Sequence, residues 1–456
     1  MNSMRNMRAG LVPARTVSRL GGVAAVLVLA AAPLPALAAT SVAAGSVRQA
    51  VSYDSGAGIA DFYRARSGRP LWLAPQSGAA AQLMLGLLDS ASVDGLDPNR
   101  FPVRTIAKAL RDAGRGDPRA VNRAEAMLSE AFVAYARELR SAPNIGIVYV
   151  DRELIPAPPS ARQLLETAAA APSLENFVDT MGWTNPTYGK LRRALMRSQS
   201  GNPAERGRIA VNLERARALP SGIQRYVVVN TAAQRLDMYD NGRVVDSMRV
   251  VVGKQKYPTP MMSAFIRAAA LNPYWNVPSD LAAERIAPNV VKHGVGYLKS
   301  MGYQVLSDWS DNPSLVDPAT IDWKAVAEGR IEVRVRQLPG PQNALGKMKF
   351  VFPNVQGIFL HDTPERQLLS EASRLYSGGC IRLEDAPRLG RWLFGRDLKK
   401  NGDAAEQMVP IPMLAPLFIT YLTAEPSGGS VAYYDDVYGR DAARLATLGK
   451  GRLASR

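Results

Sequence analysis

Cysteine and histidine are scarce in this chain. Its 456 residues contain one cysteine, Cys380, and two histidines, His293 and His361. A disulfide framework is therefore excluded, and so few thiol and imidazole groups at distant positions do not form a usual zinc site. We expect no bound metal. The single thiol is either a small buried apolar group or a reactive one, and its sequence neighbours must decide between the two.

The apolar stretch near the N-terminus, residues 21–33, is shorter than the roughly 20 residues that a membrane-spanning helix needs. Four arginines and no acidic residue precede it, and Ala36-Leu37-Ala38 follows as a small-x-small cleavage site. The pattern predicts a secretory signal peptide over residues 1–38, with an uncleaved N-terminal anchor as the alternative. In an exported chain, an unpaired cysteine indicates a free, reactive thiol.

Acidic residues are outnumbered, and the formal net charge is +16. Such a balance favours anionic neighbours, among them cell-wall polymers and lipid head groups, although a general arginine-rich bias explains it equally well. No cluster of basic and aromatic residues indicates nucleic-acid binding. We therefore expect no nucleic-acid partner.

The pattern of apolar residues divides the chain into a helical part and a β-rich part. Residues 45–222 show spacing near 3.6, as in 124–139, and predict a helical domain. From Gln224 the period changes: 225–230 reads as a strand, and Asp240-Asn241-Gly242 is a strong hairpin turn before a second long strand.

The β-rich part predicts a second domain over residues 223–425, followed by a C-terminal tail over 426–456. Strands are expected to resume near Lys349 to Leu360 and to place His361 at a strand end. The segment from about 279 to 345 is too long for an ordinary loop and predicts an inserted helical subdomain, either a lid or a rigid support. The fold class is therefore α+β.

The surroundings of the thiol favour a reactive role. Cys380 lies in the run Ser377-Gly378-Gly379-Cys380-Ile381-Arg382, and His361 stands nineteen positions upstream. A thiol needs a nearby base to act as a nucleophile at neutral pH, and imidazole is the usual one. Adjacent glycines allow a substrate carbonyl to approach the backbone and leave amides to face an oxyanion. We identify Cys380 as a candidate nucleophile.

These residues resemble the catalytic motif of the YkuD-type L,D-transpeptidases, in which a His is followed after a spacer by Ser/Thr-His-Gly-Cys. The chain is most similar to the large periplasmic YcbB-like branch, which joins a scaffold domain to the catalytic domain. The resemblance extends over most of residues 205–400 and rests further on 212–215, 252–254, Thr259-Pro260, 272–278, 321–323, 337–340, 343–346, 349–350 and 360–364.

Two departures from the family pattern are visible. Gly378 replaces the usual motif histidine, which leaves His361 as the base. No room remains between Arg193 and Ile209 for the peptidoglycan-binding module that many branch members insert there.

The resemblance implies acyl transfer on peptidoglycan stem peptides in the periplasm. His361 would hold Cys380 as a thiolate, and the amides of Gly379 and Cys380 would bind the oxyanion. A 3→3 cross-link would form without a cofactor. A monomer, contacts with other cell-wall synthesis enzymes and acylation by carbapenems are also implied.

Supporting roles are less sharply defined by the sequence. Arg382 could bind a substrate carboxylate or be a structural arginine, and Ser377 could hydrogen-bond near the thiol or cap a turn. Asp362 could orient His361 as a third triad member, with a backbone carbonyl orienting the ring as the alternative. The aromatic candidates for the cleft wall are Trp275, Phe359 and, less clearly, Tyr274, with core packing as the alternative. His293 is expected to be non-catalytic.

Two rival functions remain open. Water in place of the acceptor amine would give an L,D-carboxypeptidase, and a decayed site would leave a wall-binding scaffold. Papain-like and amidase-type enzymes place Cys before His, which His361 and His293 both contradict. Sortases have a much longer His–Cys spacing.

Overall fold

The computed structural model describes residues 56–198, 202–310 and 312–454, with side chains described through residue 447. The predicted signal peptide, residues 1–38, lies outside this range. Within the described range, no helix has both the length and the apolar character required to cross a bilayer.

Helices dominate the first part of the described chain and strands the second. The helices are α1 (56–65), α2 (Ala80–Asp89), α3 (Val103–Ala113), α4 (Pro118–Leu139), α5 (Ala161–Ala170), α6 (Leu174–Asp179), α7 (Pro186–Arg197), α8 (Pro203–Ala216), α9 (Ser279–Leu281), α10 (Ala287–His293), α11 (Gly296–Ser300), α12 (Trp323–Ala327), α13 (Ala386–Phe394) and α14 (Arg440–Ala454). The strands are β1 (Val148–Tyr149), β2 (Arg225–Asn230), β3 (Arg235–Asp240), β4 (Arg243–Gly253), β5 (Met262–Leu271), β6 (Trp275–Val277), β7 (Tyr303–Leu306), β8 (Arg334–Gln337), β9 (Met348–Val351), β10 (Leu360–His361), β11 (Leu375–Ser377), β12 (Ile381–Leu383), β13 (Gln407–Thr420), β14 (Ala424–Ser427) and β15 (Ser430–Tyr433).

The helical part, α1 to α8, packs around one apolar core that contains Trp72, Phe132 and Trp183. Local signals set its helix ends: Ser160 and Gln163 form a reciprocal capping box at the start of α5.

A buried acid also anchors the helical core. Asp94 accepts hydrogen bonds from the hydroxyls of Tyr135 (2.6 Å) and Tyr188 (2.7 Å) and from Nε of Arg192 (2.9 Å). Its side chain is fully buried and that of Arg192 is 6% exposed. Removing one partner of such a pair typically costs about 3–5 kcal/mol because the other charge is left buried.

The β-rich part closes into a barrel. Strand order along the sheet is β5-β13-β2-β3-β4-β12-β10-β9, and β9 pairs again with β5, which completes a ring. The predicted hairpin is confirmed: Asp240 pairs with Arg243, and Asn241 and Gly242 adopt φ angles of 49° and 73°.

Strand β2 shows how the barrel joins the helices. Val227 and Val229 enter the barrel core, whereas Tyr226 and Val228 on the opposite face belong to the helical core. Burial on both faces explains why this strand is a continuous apolar run rather than an alternating one. The predicted α+β class is confirmed.

The segment inserted between β5 and β9 has its own core. Strands β6, β8 and β7 form a separate antiparallel sheet, and α9 to α12 pack on it through Leu281, Ile286, Val290 and Trp323. A π-helical turn, Ala282–Ile286, joins α9 to α10. We call residues 279–345 the cap.

The strands expected between Lys349 and Leu360 are present as β9, which ends at Val351, and β10, which begins at Leu360 and ends at His361. Pro353 and Gly357 lie in the loop between these strands. Proline has no backbone N–H to donate to a neighbouring strand, and glycine does not favour an extended backbone. Within the segment expected to be a C-terminal tail, residues 426–454 complete the hairpin β14–β15 and form α14. Helix α14 is tied to α8 by an ion pair between Arg444 and Glu214.

Candidate active site

A cavity of about 430 Å³ lies between the barrel and the cap, and the predicted nucleophile and base both line it. Of the remaining predicted site residues, those whose side chains line the cavity are Arg382, Ser377, Trp275 and Phe359. Tyr274 lines it as well. His293 does not, and it is exposed on the cap beside Tyr297.

Two parallel strands bring the thiol and the imidazole to the same place. In the β10–β12 pair, Leu360 is in register with Ile381 and His361 with Arg382. Cys380 immediately precedes β12, and because the two strands are parallel it lies beside the start of β10. The eighteen residues between His361 and Cys380 form the connection that parallel pairing requires.

The imidazole of His361 is buried, and the backbone orients it. Its Nδ1 lies 2.6 Å from the carbonyl oxygen of Asp362. Since a carbonyl oxygen only accepts, Nδ1 carries the proton and Nε2 has the free lone pair. The carboxylate of Asp362 instead accepts from the amide of Lys347 (2.9 Å) and from Arg366 (2.5 Å). The triad role considered for the Asp362 side chain is therefore filled by its backbone.

Burial favours the neutral forms of both reactive groups. Burial lowers the pKa of His361 to about 3, the charges of Arg382 and Lys349 act in the same direction, and the hydrogen bond to Asp362 opposes them. Burial raises the pKa of the Cys380 thiol, against the opposing effects of the Phe359 backbone and the same two cations. Both shifts favour the neutral thiol and imidazole over the thiolate–imidazolium pair that the resemblance implies.

The thiol is half-buried, and its sulfur lies 3.6 Å from the carbonyl oxygen of Gly357. Gly357 belongs to the loop between β9 and β10. A neutral S–H group is a weak donor, so this contact is consistent with the raised pKa of the thiol.

Ser377 shapes the loop that carries the thiol. Its hydroxyl donates to the carbonyl oxygen of Cys380 (2.5 Å) and accepts from the amide of Gly379 (3.1 Å). The turn-capping alternative for Ser377 therefore describes its contacts. The expectation for Gly379 needs correction, because its amide is occupied and does not face an oxyanion. In the described chain no hydrogen bond engages the amides of Gly378 and Cys380.

Two cations of the cavity are already paired. Arg382, whose side chain is 8% exposed, forms an ion pair with Glu365. The ammonium of Lys349 lies 2.7 Å from a carboxylate oxygen of Glu406 and sits over the Phe359 ring.

Arg285 is a cavity residue that the sequence reasoning missed. It lies in the π-helical turn of the cap, is half-buried, and lines the same cavity as Cys380. Among the described residues, none forms an ion pair or hydrogen bond with its guanidinium. No local motif marks it, because only the folding of the cap brings it over the barrel.

The cap contacts the barrel at two points beside the thiol. A methyl group built on Gly378 would lie 3.0 Å from Leu281, so the cap occupies the space of any side chain there. Glu284 accepts hydrogen bonds from Lys254 (2.8 Å), Lys256 (3.0 Å) and the Tyr257 hydroxyl (2.7 Å), all in the loop after β4. These three donors, Lys254 first, lower the pKa of Glu284 to about 2.

Comparison with known proteins identifies two matching domains. Residues 224–396 match the family model of the YkuD L,D-transpeptidase catalytic domain, and residues 57–195 match that of the Scaffold domain. A Haemophilus influenzae protein named as a candidate L,D-transpeptidase is 30% identical over 279 residues, which cover 59% of this chain and 55% of the relative. The chain thus spans about half the length of that relative.

Solved structures add little to this assignment. The L,D-transpeptidase from Mycobacterium smegmatis is 16% identical, with 44% of this chain and 59% of that chain covered, at a TM-score of 0.21. The Ldtfm–avibactam carbamoyl enzyme is 14% identical, with 43% and 49% covered, also at 0.21.

Proposed function

We propose that this chain, which carries a YkuD-type L,D-transpeptidase catalytic domain after a Scaffold domain, cross-links peptidoglycan stem peptides by cysteine acyl transfer. The observation that carries the proposal is the shared cavity of Cys380 and His361, in which the imidazole presents Nε2 as a base. The unpaired Arg285 supports a substrate with a free carboxylate, which a tetrapeptide stem supplies.

The reaction starts from the neutral pair. The thiol proton, now directed to Gly357, turns to Nε2 of His361 as the sulfur attacks the carbonyl of the third stem residue, a diamino acid. The amide of Cys380 is the donor best placed for the oxyanion, since that of Gly379 is engaged. Collapse of the intermediate breaks the peptide bond, and the imidazolium returns the proton to the leaving D-alanine amine.

A thioester on Cys380 remains after this step. The side-chain amine of a second stem attacks it, gives its proton to His361, and leaves as the 3→3 cross-linked product. The imidazolium proton then returns to the thiol. The same residues serve both half-reactions, so the kinetics are ping-pong.

The proposed site of action is the periplasm, reached through the N-terminal signal and with a membrane anchor as the alternative. The excess of basic residues suits an anionic wall polymer as neighbour. Other wall-synthesis enzymes are proposed partners, and the protein is proposed to act as a monomer.

The decisive experiment is mass spectrometry of the products from purified disaccharide-tetrapeptide. Transpeptidation predicts a dimer that has lost one D-alanine, absent with Cys380→Ala. Tripeptide without dimer would establish the carboxypeptidase instead. An unchanged substrate, together with retained binding to purified wall, would overturn both enzymatic functions in favour of a wall-binding scaffold.

A further inference from the structure

The hydroxyl of Thr259 connects the end of β4 to the loop that carries the thiol. It accepts a hydrogen bond from the amide of Gly253 (2.9 Å) and donates to the carbonyl oxygen of Gly379 (2.8 Å). Thr259 is fully buried. A hydroxyl has one proton, so its donation to Gly379 determines its orientation.

The carbonyl that Thr259 holds belongs to the peptide group that also contains the Cys380 amide. A trans peptide is planar, and its C=O and N–H point in opposite directions. Binding the Gly379 oxygen on the Thr259 side therefore turns the Cys380 N–H to the opposite side. Gly379 has a φ of 115°, so the backbone at this position departs from the conformations favoured by other residues. The hydrogen bond from Thr259 opposes rotation of the Gly379–Cys380 peptide, which the glycine would otherwise allow.

The Thr259 side of this contact is itself tightly packed. A methyl group built on Gly253 would lie 2.0 Å from the carbonyl oxygen of Tyr257 and 2.7 Å from the amide of Thr259. The chain after β4 therefore turns back closely on itself, which leaves the Thr259 hydroxyl little freedom to move.

Two residues beyond the matched catalytic domain, Tyr438 and Arg440, hold the backbone on either side of the Thr259 hydroxyl contact. The Tyr438 hydroxyl donates to the carbonyl oxygen of Gly253 (2.6 Å), and Arg440 donates to that of Thr259 (2.8 Å). Tyr438 stacks on Tyr421 with ring centroids 5.3 Å apart, and the Arg440 guanidinium lies about 5 Å from both ring centroids. The carbonyl oxygens of Gly253 and Thr259 thus both accept hydrogen bonds from the stacked group that Tyr438 and Arg440 form with Tyr421.

We propose that Thr259 is a positioning residue: it orients the Gly379–Cys380 peptide so that the Cys380 amide stabilises the oxyanion, and Tyr438 and Arg440 support it. The inference rests on acyl transfer at Cys380 and deepens it. Thr259 acts through the peptide it binds and does not itself contact the substrate.

The test compares two reactions of the same thiol in Thr259→Val and Thr259→Ser. p-Nitrophenyl acetate acylates Cys380 through a tetrahedral oxyanion, whereas iodoacetamide alkylates it without one. Loss of an oxyanion donor typically costs about 10²–10³ in rate. We expect Thr259→Val to lower the acylation rate by at least about tenfold, because the donor is misoriented rather than deleted, with alkylation within about twofold of wild type.

Thr259→Ser keeps the hydroxyl and should restore acylation to within about threefold of wild type, because both hydrogen bonds can re-form. Equal losses in both reactions, or wild-type acylation in Thr259→Val, would overturn the proposal. Should the valine variant fail to fold, Tyr438→Phe carries the test, because it removes one supporting hydrogen bond. Tyr438→Phe is expected to lower the acylation rate several-fold and leave the alkylation rate unchanged. An unchanged ratio of the two rates would contradict the proposed positioning role.

The probe also separates this inference from the proposed function. A wild-type protein that reacts with p-nitrophenyl acetate but leaves disaccharide-tetrapeptide untouched would refute peptidoglycan cross-linking alone. The comparison of Thr259 variants would still be decided by the ratio of acylation to alkylation.

Discussion

The carbonyl oxygen of Asp362 lies 2.6 Å from Nδ1 of His361, while the carboxylate of Asp362 binds Lys347 and Arg366. One residue thus orients the catalytic imidazole through its backbone and organises a neighbouring loop through its side chain. The sequence left two candidates for orienting the ring, the Asp362 carboxylate and a backbone carbonyl, and the structure places a backbone carbonyl there. The distinction has a direct consequence for mutagenesis.

Asp362→Asn should retain most of the activity. The backbone carbonyl that orients His361 is unchanged, and the amide oxygen of Asn can still accept from Lys347. We expect kcat on disaccharide-tetrapeptide to fall by less than about fivefold, whereas loss of a true triad carboxylate typically costs about 10⁴. The melting temperature serves as the control for folding. A loss near the larger figure would show that the carboxylate acts on the imidazole directly.

The pH dependence of thiol alkylation should reveal a neutral Cys–His pair. The pKa of Cys380 is raised, so the thiolate fraction is small at pH 7 and grows as the pH rises. The pKa of His361 is about 3, so the imidazole does not change its charge between pH 5 and 8. We expect the rate with iodoacetamide to rise continuously with pH above 7. A plateau extending down to pH 5 would instead demonstrate a thiolate–imidazolium pair.

Ser377→Ala should slow acylation and leave the fold intact. The substitution removes the acceptor for the buried Gly379 amide and the donor to Cys380. An unsatisfied buried group costs about 1–3 kcal/mol, which corresponds to roughly 5- to 150-fold in rate if the loop loses its reactive geometry. Ser377→Thr retains the hydroxyl and is the matched control. Equal rates for alanine, threonine and wild type would assign Ser377 no part in the site.

Arg285→Gln should weaken recognition of a substrate carboxylate. We would compare KM for tetrapeptide stems that end in a free D-alanine or in its amide. Losing a charge-assisted contact of about 1.5–3 kcal/mol should raise KM for the acid by roughly 10- to 150-fold and leave KM for the amide nearly unchanged. Arg334→Gln, an exposed arginine on β8, is the control. An identical effect on both substrates would exclude a carboxylate contact.

Glu284→Gln should loosen the cap at the barrel. The carboxylate binds three donors of the loop after β4, and its pKa of about 2 keeps it charged throughout the physiological range. We expect faster hydrogen exchange of residues 279–293 in the variant and in wild type at high salt, since exposed ion pairs are screened.

The control for the cap experiment is Glu328→Gln. Glu328 pairs with Arg330 inside the cap and does not reach the barrel. Its exchange pattern over 279–293 should match wild type. Equal protection of this segment in both variants would mean that apolar packing, such as Leu281 against Gly378, holds the cap by itself.

The local sequence determined those features that depend on near neighbours. Asn241-Gly242 specifies a two-residue turn because both residues tolerate positive φ, and alternating or continuous apolar runs specify β2 to β4. Cys380 and His361 were identifiable for a similar reason, since a thiol, flanking glycines and a histidine form a recognisable chemical set.

The tertiary structure alone decided how those groups are connected. The Gly379 amide donates to Ser377, and Arg285 lines the cavity from the cap. Tyr438 supports the backbone around Thr259 from the segment that the sequence predicted as a tail. Each of these contacts depends on strand register or on packing between segments far apart in the chain. Residue type and spacing specify which groups are available for chemistry, whereas long-range packing determines which hydrogen-bond donor each acceptor meets.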